Sequence, residues 1–94
     1  MNVELPLSGA LTFATVPAAL EACIAQLPPQ VDEVVIELAQ VTHADTAGLA
    51  LLLELARQVR ARKGTLRLLN TPEQASRLAA YFGVDAVLDA ASKA

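Results

Sequence analysis

The 94-residue sequence has few aromatic residues, no tryptophan and one cysteine. Aromatic side chains make up 3% of the chain, so the core must be built from Ala, Leu and Val. The single cysteine, Cys23, excludes an intramolecular disulfide and favours a reducing compartment. Cys23 shares a helical spacing with Leu20, Ile24 and Leu27, so we expect it to pack as a small core residue.

Long apolar runs are also missing. The longest, Ala47 to Leu53, is interrupted only by Gly48 and is far shorter than the roughly 20 residues that a membrane-spanning helix needs. The first residues lack the basic-then-apolar pattern of a signal peptide. With 54% hydrophobic and 18% charged residues, the chain is expected to form one folded domain over residues 1–94, cytoplasmic and without direct membrane insertion.

Lys and Arg are absent from residues 1–56, whereas seven of the ten acidic residues lie there. The first part is formally −7 and the remainder +4, for a net charge of −3. This asymmetry favours docking to another protein. The basic residues are not interleaved with aromatic side chains that could stack on bases, so we expect no nucleic-acid binding. Most of them crowd the end of a predicted helix, where cations stabilise the negative end of the helix dipole.

Periodicity and turn signals predict an alternation of strands and helices. Ser8-Gly9 indicates the turn of a hairpin between Val3–Leu7 and Ala10–Phe13. Further predicted strands cover residues 31–38, 65–69 and, briefly, 86–88. Predicted helices cover residues 15–27, 46–62 and 71–82. This order predicts an α/β sandwich, with about three helices mainly on one face of a mixed four- to five-stranded β-sheet.

Several local signals accompany these elements. Gly64 is expected to be the left-handed cap of the second helix. Thr71 is expected to be the N-cap of the third, with Gln74 completing a capping box. Tyr81 and Phe82 are expected to close the edge of the core.

Catalysis has weak support. His43 is the only histidine, and no nucleophile elbow, phosphate-binding loop or dinucleotide fingerprint is present. One histidine and one distant cysteine do not supply a metal-ligand cluster. We therefore expect a non-enzymatic protein without catalytic residues, metal or cofactor. The remaining alternative, a small enzyme centred on His43 and Asp45, is the least favoured.

The stretch from Asp45 to Leu49 is the most informative. Asp45 or Thr46 can cap the following helix. Capping does not explain Gly48, which costs about 1 kcal/mol relative to Ala inside a helix, so we expect another backbone or side chain to approach it closely. A phosphate on Thr46 would be favoured by the free N–H groups of the helix start.

A buried strand followed by Asp45-Thr46-Ala47-Gly48-Leu49 at the start of an apolar helix resembles the STAS domain family. The likeness covers nearly the whole chain in length and element order. The threonine and the continuation to Leu53 are most similar to MlaB, the small cytoplasmic STAS subunit of Mla phospholipid ABC transporters. In this chain, Ala47 replaces a second glycine that is frequent in MlaB-like chains.

The resemblance implies a subunit that binds the ATPase of an ABC transporter and supports its assembly and activity, peripheral to the inner membrane through that complex. We expect the partner-binding residues to be His43, Asp45, Thr46, Ala47 and Gly48. The alternative is an anti-sigma factor antagonist, whose partner is an anti-sigma factor kinase that phosphorylates Thr46.

Overall fold

The computed structural model describes residues 1–84, which form three strands and three helices in alternation. In chain order these are β1 (Asn2–Leu11), α1 (Val16–Ala25), β2 (Glu33–Ala44), α2 (Thr46–Ala61), β3 (Thr65–Leu69) and α3 (Glu73–Tyr81). The α/β class, the three helices and the start of α2 at Thr46 are as the sequence predicts.

The described strands form one sheet in the order β1-β2-β3, and both neighbouring pairs are parallel. Crossovers between parallel strands are almost always right-handed, so two crossovers that step in the same direction place α1 and α2 on the same face. The burial pattern agrees, because Val34, Ile36 and Leu38 of β2 are buried while the alternate residues are partly exposed. Helices α1 and α2 therefore cover one face of the sheet.

The predicted N-terminal hairpin is wrong. Residues 2–11 are one continuous strand that pairs in parallel with β2. Ser8-Gly9 is absorbed inside this strand, where the pairing register shifts between Pro6 and Ser8 and again after Gly9. Gly9 takes a left-handed backbone with φ +74°. A turn-forming dipeptide therefore produces a bulge-like irregularity, because pairing with β2 continues on both sides of it.

The predicted mixed sheet of four to five strands is also not what the described residues form. Within residues 1–84 the sheet has three strands, all parallel. The difference follows from the hairpin, which would have added both an extra strand and an antiparallel pair. The predicted strand at residues 86–88 lies outside the described residues.

The core lies between the sheet and the helices, with α2 at its centre. Leu51, Leu52, Leu55 and Val59 of α2 are each at most 1% exposed. Cys23 is buried as predicted, and burial raises the pKa of its thiol. Of the helices within residues 1–84, none is long and apolar enough to span a membrane.

The C-terminal end of α2 corrects one prediction about glycine. Lys63, not Gly64, adopts the left-handed conformation, with φ +64°. Gly64 is needed instead because the position has no room for a side chain: a Cβ there would overlap the Cγ2 methyl of Val31. Arg62 behaves as expected of a cation at a helix end, because its Nη1 donates to the backbone oxygen of Gln58 at 3.1 Å.

Helix α3 also departs from the prediction at both ends. Pro72 rather than Thr71 occupies the N-cap position, and no side chain caps the helix. Gln74 does not complete a capping box. At the other end Tyr81 and Phe82 do not close the core, since they are 82% and 52% exposed. Only Ala75 and Ala79 of α3 are buried, so small side chains hold this helix close to its neighbours.

Candidate functional site at the start of α2

The candidate site lies where β2 ends and α2 begins, at the carboxyl end of the sheet. Strand β3 pairs with β2 only as far as Glu37, so the last residues of β2 pair with β1 alone. Strand β2 runs to Ala44, beyond its predicted end at Leu38, and His43 is therefore a strand residue. Open α/β sheets place their binding sites at the carboxyl ends of their strands.

Asp45 is the N-cap of α2. Its backbone is extended, and its Oδ1 accepts a hydrogen bond from the backbone N–H of Ala47 at 2.8 Å. Its carbonyl oxygen accepts the first intrahelical bond, from the N–H of Leu49 at 3.1 Å. The prediction that this segment caps the helix is confirmed, and the capping residue is Asp45.

Because Asp45 supplies the cap, the hydroxyl of Thr46 is not needed for it. Thr46 is the first residue of α2 and is exposed to solvent. Among residues 1–84, the side chain that hydrogen-bonds to the helix start is that of Asp45, and the Thr46 hydroxyl forms no such bond. A partner, a solvent molecule or a modifying group can therefore reach this hydroxyl without breaking a hydrogen bond to residues 1–84.

Gly48 is buried and faces the ends of two strands. A Cβ at this position would lie 3.0 Å from Cβ of Leu11, 3.1 Å from the carbonyl oxygen of Leu11 and 3.1 Å from Cβ of Ala44. The expected close approach is confirmed, and the approaching groups belong to the chain itself. Gly48 thus sets how closely the start of α2 lies against β1 and β2.

Two apolar clefts lie beside Thr46, and both are lined by Thr46 and Ala50; we call them the paired clefts. The first, of about 340 Å³, is lined by Phe13, Val16, Pro17, Thr46, Ala47 and Ala50. The second, of about 160 Å³, is lined by Thr46, Leu49, Ala50, Leu53, Phe82 and Val84. Neither lining contains a charged residue.

A third cleft, of about 310 Å³, lies on the other side of Asp45 and is more polar. It is lined by His43, Ala44, Asp45, Gln74, Arg77 and Leu78. Gln74 ties α3 to this region, since its Oε1 accepts a hydrogen bond from the backbone N–H of Ala44 at 3.2 Å. Arg77 is paired with Glu73 on its own helix. Thr46 therefore stands at the boundary between an apolar and a polar surface.

The structure brings the five predicted site residues together but gives them different positions. His43 and Thr46 are exposed, Asp45 and Ala47 are half-buried, and Gly48 is buried. Sequence reasoning missed Phe13, Gln74 and Phe82. The sequence predicts a hairpin strand for Phe13 and a core edge for Phe82, and no sequence signal pairs Gln74 with Ala44.

The site offers hydroxyl, imidazole and apolar groups without a metal-ligand cluster. Within residues 1–84, no group of three or more His, Cys, Asp or Glu side chains is arranged to hold a metal ion. Two half-buried glutamates elsewhere have lowered pKa values. Hydrogen bonds from Arg57 and Gln58 lower the pKa of Glu54 to about 2, and a hydrogen bond from Asn70 is the main cause for Glu37.

Comparisons with known proteins agree with this architecture. A protein-family model described as "Mlab, STAS domain" matches residues 2–89. No curated protein is significantly similar to the chain in sequence.

Three solved structures show the same fold at low sequence identity. A sulfate transporter family protein from Wolinella succinogenes has a TM-score of 0.74 at 16% identity, over 93% of this chain and 70% of its own. The anti-sigma factor antagonist SpoIIAA, in its unphosphorylated form, has a TM-score of 0.69 at 20% identity, over 90% of this chain and 76% of its own. The SulP transporter STAS domain from Vibrio cholerae has a TM-score of 0.70 at 14% identity, over 97% of this chain and 70% of its own. With the family match over residues 2–89, these likenesses lead to one conclusion: the chain belongs to the STAS domain family, in its MlaB-type group.

Proposed function

We propose that this chain is the non-enzymatic, cytoplasmic STAS subunit of an Mla-type phospholipid ABC transporter. It binds the ATPase subunit, supports the assembly and activity of the complex, and so helps to maintain outer-membrane lipid asymmetry. Residues 1–94 act as one STAS domain, held at the inner membrane through the complex rather than by insertion. The match to the MlaB-type family model over residues 2–89 carries this proposal.

The geometry at the start of α2 supports a docking role for the five predicted residues. Thr46 and Ala47 line the first of the paired clefts, and His43 is exposed on the neighbouring strand end. Asp45 caps the helix, and Gly48 fixes its distance from Leu11. In this proposal Thr46, Ala47 and His43 contact the ATPase, while Asp45 and Gly48 hold that surface in place.

Thr46→Glu tests the docking site. A carboxylate at the first position of a helix interacts favourably with the helix dipole, so the variant should fold at least as well as the wild type. In the complex the charge would lie against a desolvated surface, which costs several kcal/mol when it is unpaired. Co-expression with the Mla-type ATPase should therefore recover little Thr46→Glu on the tagged ATPase. Thr46→Ser, which retains the hydroxyl, should co-purify normally.

Full co-purification of Thr46→Glu would show that the docking site is elsewhere. Thermal unfolding of both variants is the accompanying control. If Thr46→Glu lost binding and also melted far below the wild type, the loss would reflect folding, and Thr46→Gln, of similar size but neutral, would then decide whether charge at this position matters.

The second candidate function is an anti-sigma factor antagonist regulated by phosphorylation of Thr46. The observation that favours it is the exposed Thr46 hydroxyl at a helix N-terminus, which forms no hydrogen bond with residues 1–84. Incubation with candidate anti-sigma kinases and ATP, followed by intact-mass measurement, distinguishes the two functions. One phosphate per chain that disappears in Thr46→Val would favour the antagonist. An unmodified mass together with stable ATPase binding would favour the transporter subunit.

A further inference from the structure

Phe13 is an exposed aromatic residue on a turn whose backbone is restricted by hydrogen bonds. Its side chain is 87% exposed, although it lines the first of the paired clefts. An exposed phenylalanine beside an apolar cleft leaves unburied surface that water disfavours. Phe13 does not contribute to the buried core cluster. The ring is therefore available to a binding partner.

The turn that carries Phe13 is fixed by Thr15. The Thr15 hydroxyl donates to the carbonyl oxygen of Ala10 at 2.7 Å and accepts from the N–H of Thr12 at 2.9 Å. The N–H of Val16 also donates to the oxygen of Thr12 at 2.9 Å. These bonds restrict the backbone on both sides of Phe13, so little backbone entropy remains to be lost when the ring is bound.

The same turn is connected to the start of α2 through Leu11. The N–H of Asp45 donates to the carbonyl oxygen of Leu11 at 3.3 Å, and Gly48 packs against the same residue. Phe13, two residues beyond Leu11, is thus held at a set position relative to Thr46. An aromatic side chain and a hydroxyl are presented together on one preorganised surface.

The charges around this surface limit what can cover it. Neither of the paired clefts is lined by a charged residue, whereas His43, Asp45 and Arg77 lie in the polar cleft on the far side of Thr46. A partner that placed a carboxylate or an ammonium group in the paired clefts would bury that charge without a counterion. The complementary surface is therefore neutral and apolar.

We propose that Phe13 is the anchor of the docking surface, and that an uncharged, apolar segment of the ABC transporter ATPase fills the paired clefts around it. This inference rests on the proposed function and adds the chemistry of the partner. Burial of the Phe13 ring and of the cleft walls supplies the affinity. Thr46 lies in both clefts, so a charge there places an ion inside an apolar contact.

Calorimetric titration of the purified chain with the ATPase tests this inference. Anchor residues at interfaces cost 2 kcal/mol or more when truncated, so Phe13→Ala should raise Kd by about 30-fold or more. Its thermal melt should match that of the wild type, because the ring is exposed. Raising the salt concentration should change the wild-type Kd only slightly, because the paired clefts are uncharged.

A matched pair of alanine substitutions localises the effect. Ala50 and Ala22 are both exposed residues inside helices, but only Ala50 lines the paired clefts. Ala50→Glu should weaken binding as strongly as Phe13→Ala, whereas Ala22→Glu should leave Kd within about twofold. Similar losses for both alanine variants would indicate a general charge effect and would overturn the inference.

Two further outcomes separate this inference from the proposed function. If Thr46→Glu abolishes ATPase binding while Phe13→Ala changes Kd less than threefold, the anchor is wrong and the transporter role stands. If the wild-type chain does not bind the ATPase, the proposed function fails and the inference fails with it. A dimer of the chain alone that Phe13→Ala dissociates would show that a second copy covers the clefts, and would also overturn the inference.

Discussion

Both ends of α2 pack closely against other parts of the chain but leave different groups for a partner. At the C-terminal end, Arg62 Nε donates to the carbonyl oxygen of Pro28 at 3.1 Å, and Nη1 donates to Oε1 of Gln58 at 2.8 Å. The backbone oxygen of Arg62 accepts from the N–H of Val31 at 3.3 Å. At the N-terminal end, the Thr46 hydroxyl has no such bond within residues 1–84, and apolar side chains line the two clefts beside it.

This difference changes the meaning of the charge pattern in the sequence. The cluster of cations near the end of α2 draws attention as a docking patch. Arg57 is paired with Glu54, however, and Arg62 is bonded to the backbone of its own chain. Two of these cations are therefore bonded within the chain, whereas the paired clefts at the start of α2 are lined by no charged residue. The docking surface proposed above therefore lies away from the cation cluster.

The largest expected effect is a loss of unfolding free energy, and it should differ between alanine substitutions of the two glycines that pack at these ends. Gly64→Ala places a methyl group against Val31, and such overpacking typically costs about 1–3 kcal/mol of unfolding free energy. Gly48→Ala creates a milder contact with Leu11 and recovers about 1 kcal/mol of helix propensity, so its cost should be smaller. Urea denaturation of both variants measures the two costs. A larger loss for Gly48→Ala would mean that the N-terminal end is the more tightly packed of the two.

An intermediate effect distinguishes the capping residue from its neighbour. Asp45→Ala removes the acceptor of the Ala47 N–H and should lower the unfolding free energy by about 1 kcal/mol, within a range of 0.5–2. Thr46→Ala should change it by no more than about 0.5 kcal/mol, because the hydroxyl is exposed and forms no bond within residues 1–84. Thermal and urea unfolding of both variants provide the measurement. Equal losses would show that Thr46 has a structural role that the hydrogen bonds do not reveal.

The smallest expected effect concerns the ion pair on the exposed side of α2. Hydrogen bonds from Arg57 and Gln58 lower the pKa of Glu54 to about 2, below its unfolded value of about 4.3. The pair therefore stabilises the fold above about pH 4.3, and this contribution is lost as the pH falls toward 2. Solvent screening keeps this contribution to the unfolding free energy small. Carboxyl NMR titration should show a higher Glu54 pKa in Arg57→Ala and a smaller rise in Gln58→Ala; the reverse order would assign the main cause to Gln58.

The sequence predicts the helices and the motif better than the strand pairing. Apolar spacing and capping chemistry are local, so the start of α2 at Thr46 and the cap at Asp45 follow from neighbouring residues. Ser8-Gly9 has the local signature of a turn, but long-range pairing with β2 keeps the strand continuous. Phe13, Phe82 and Gln74 reach the site only through the tertiary fold, and no spacing along the chain brings them together.

The most direct test of the account places the same charge at the two ends of α2. Thr46 and Ala61 are the first and last residues of the helix, and both are exposed. The affinity of Thr46→Glu and of Ala61→Glu for the Mla-type ATPase would be measured by calorimetry under identical conditions. We predict that Thr46→Glu weakens binding by about 30-fold or more, and that Ala61→Glu remains within about twofold of the wild type. Wild-type affinity in Thr46→Glu, with a loss confined to Ala61→Glu, would contradict the assignment of the docking surface to the start of α2.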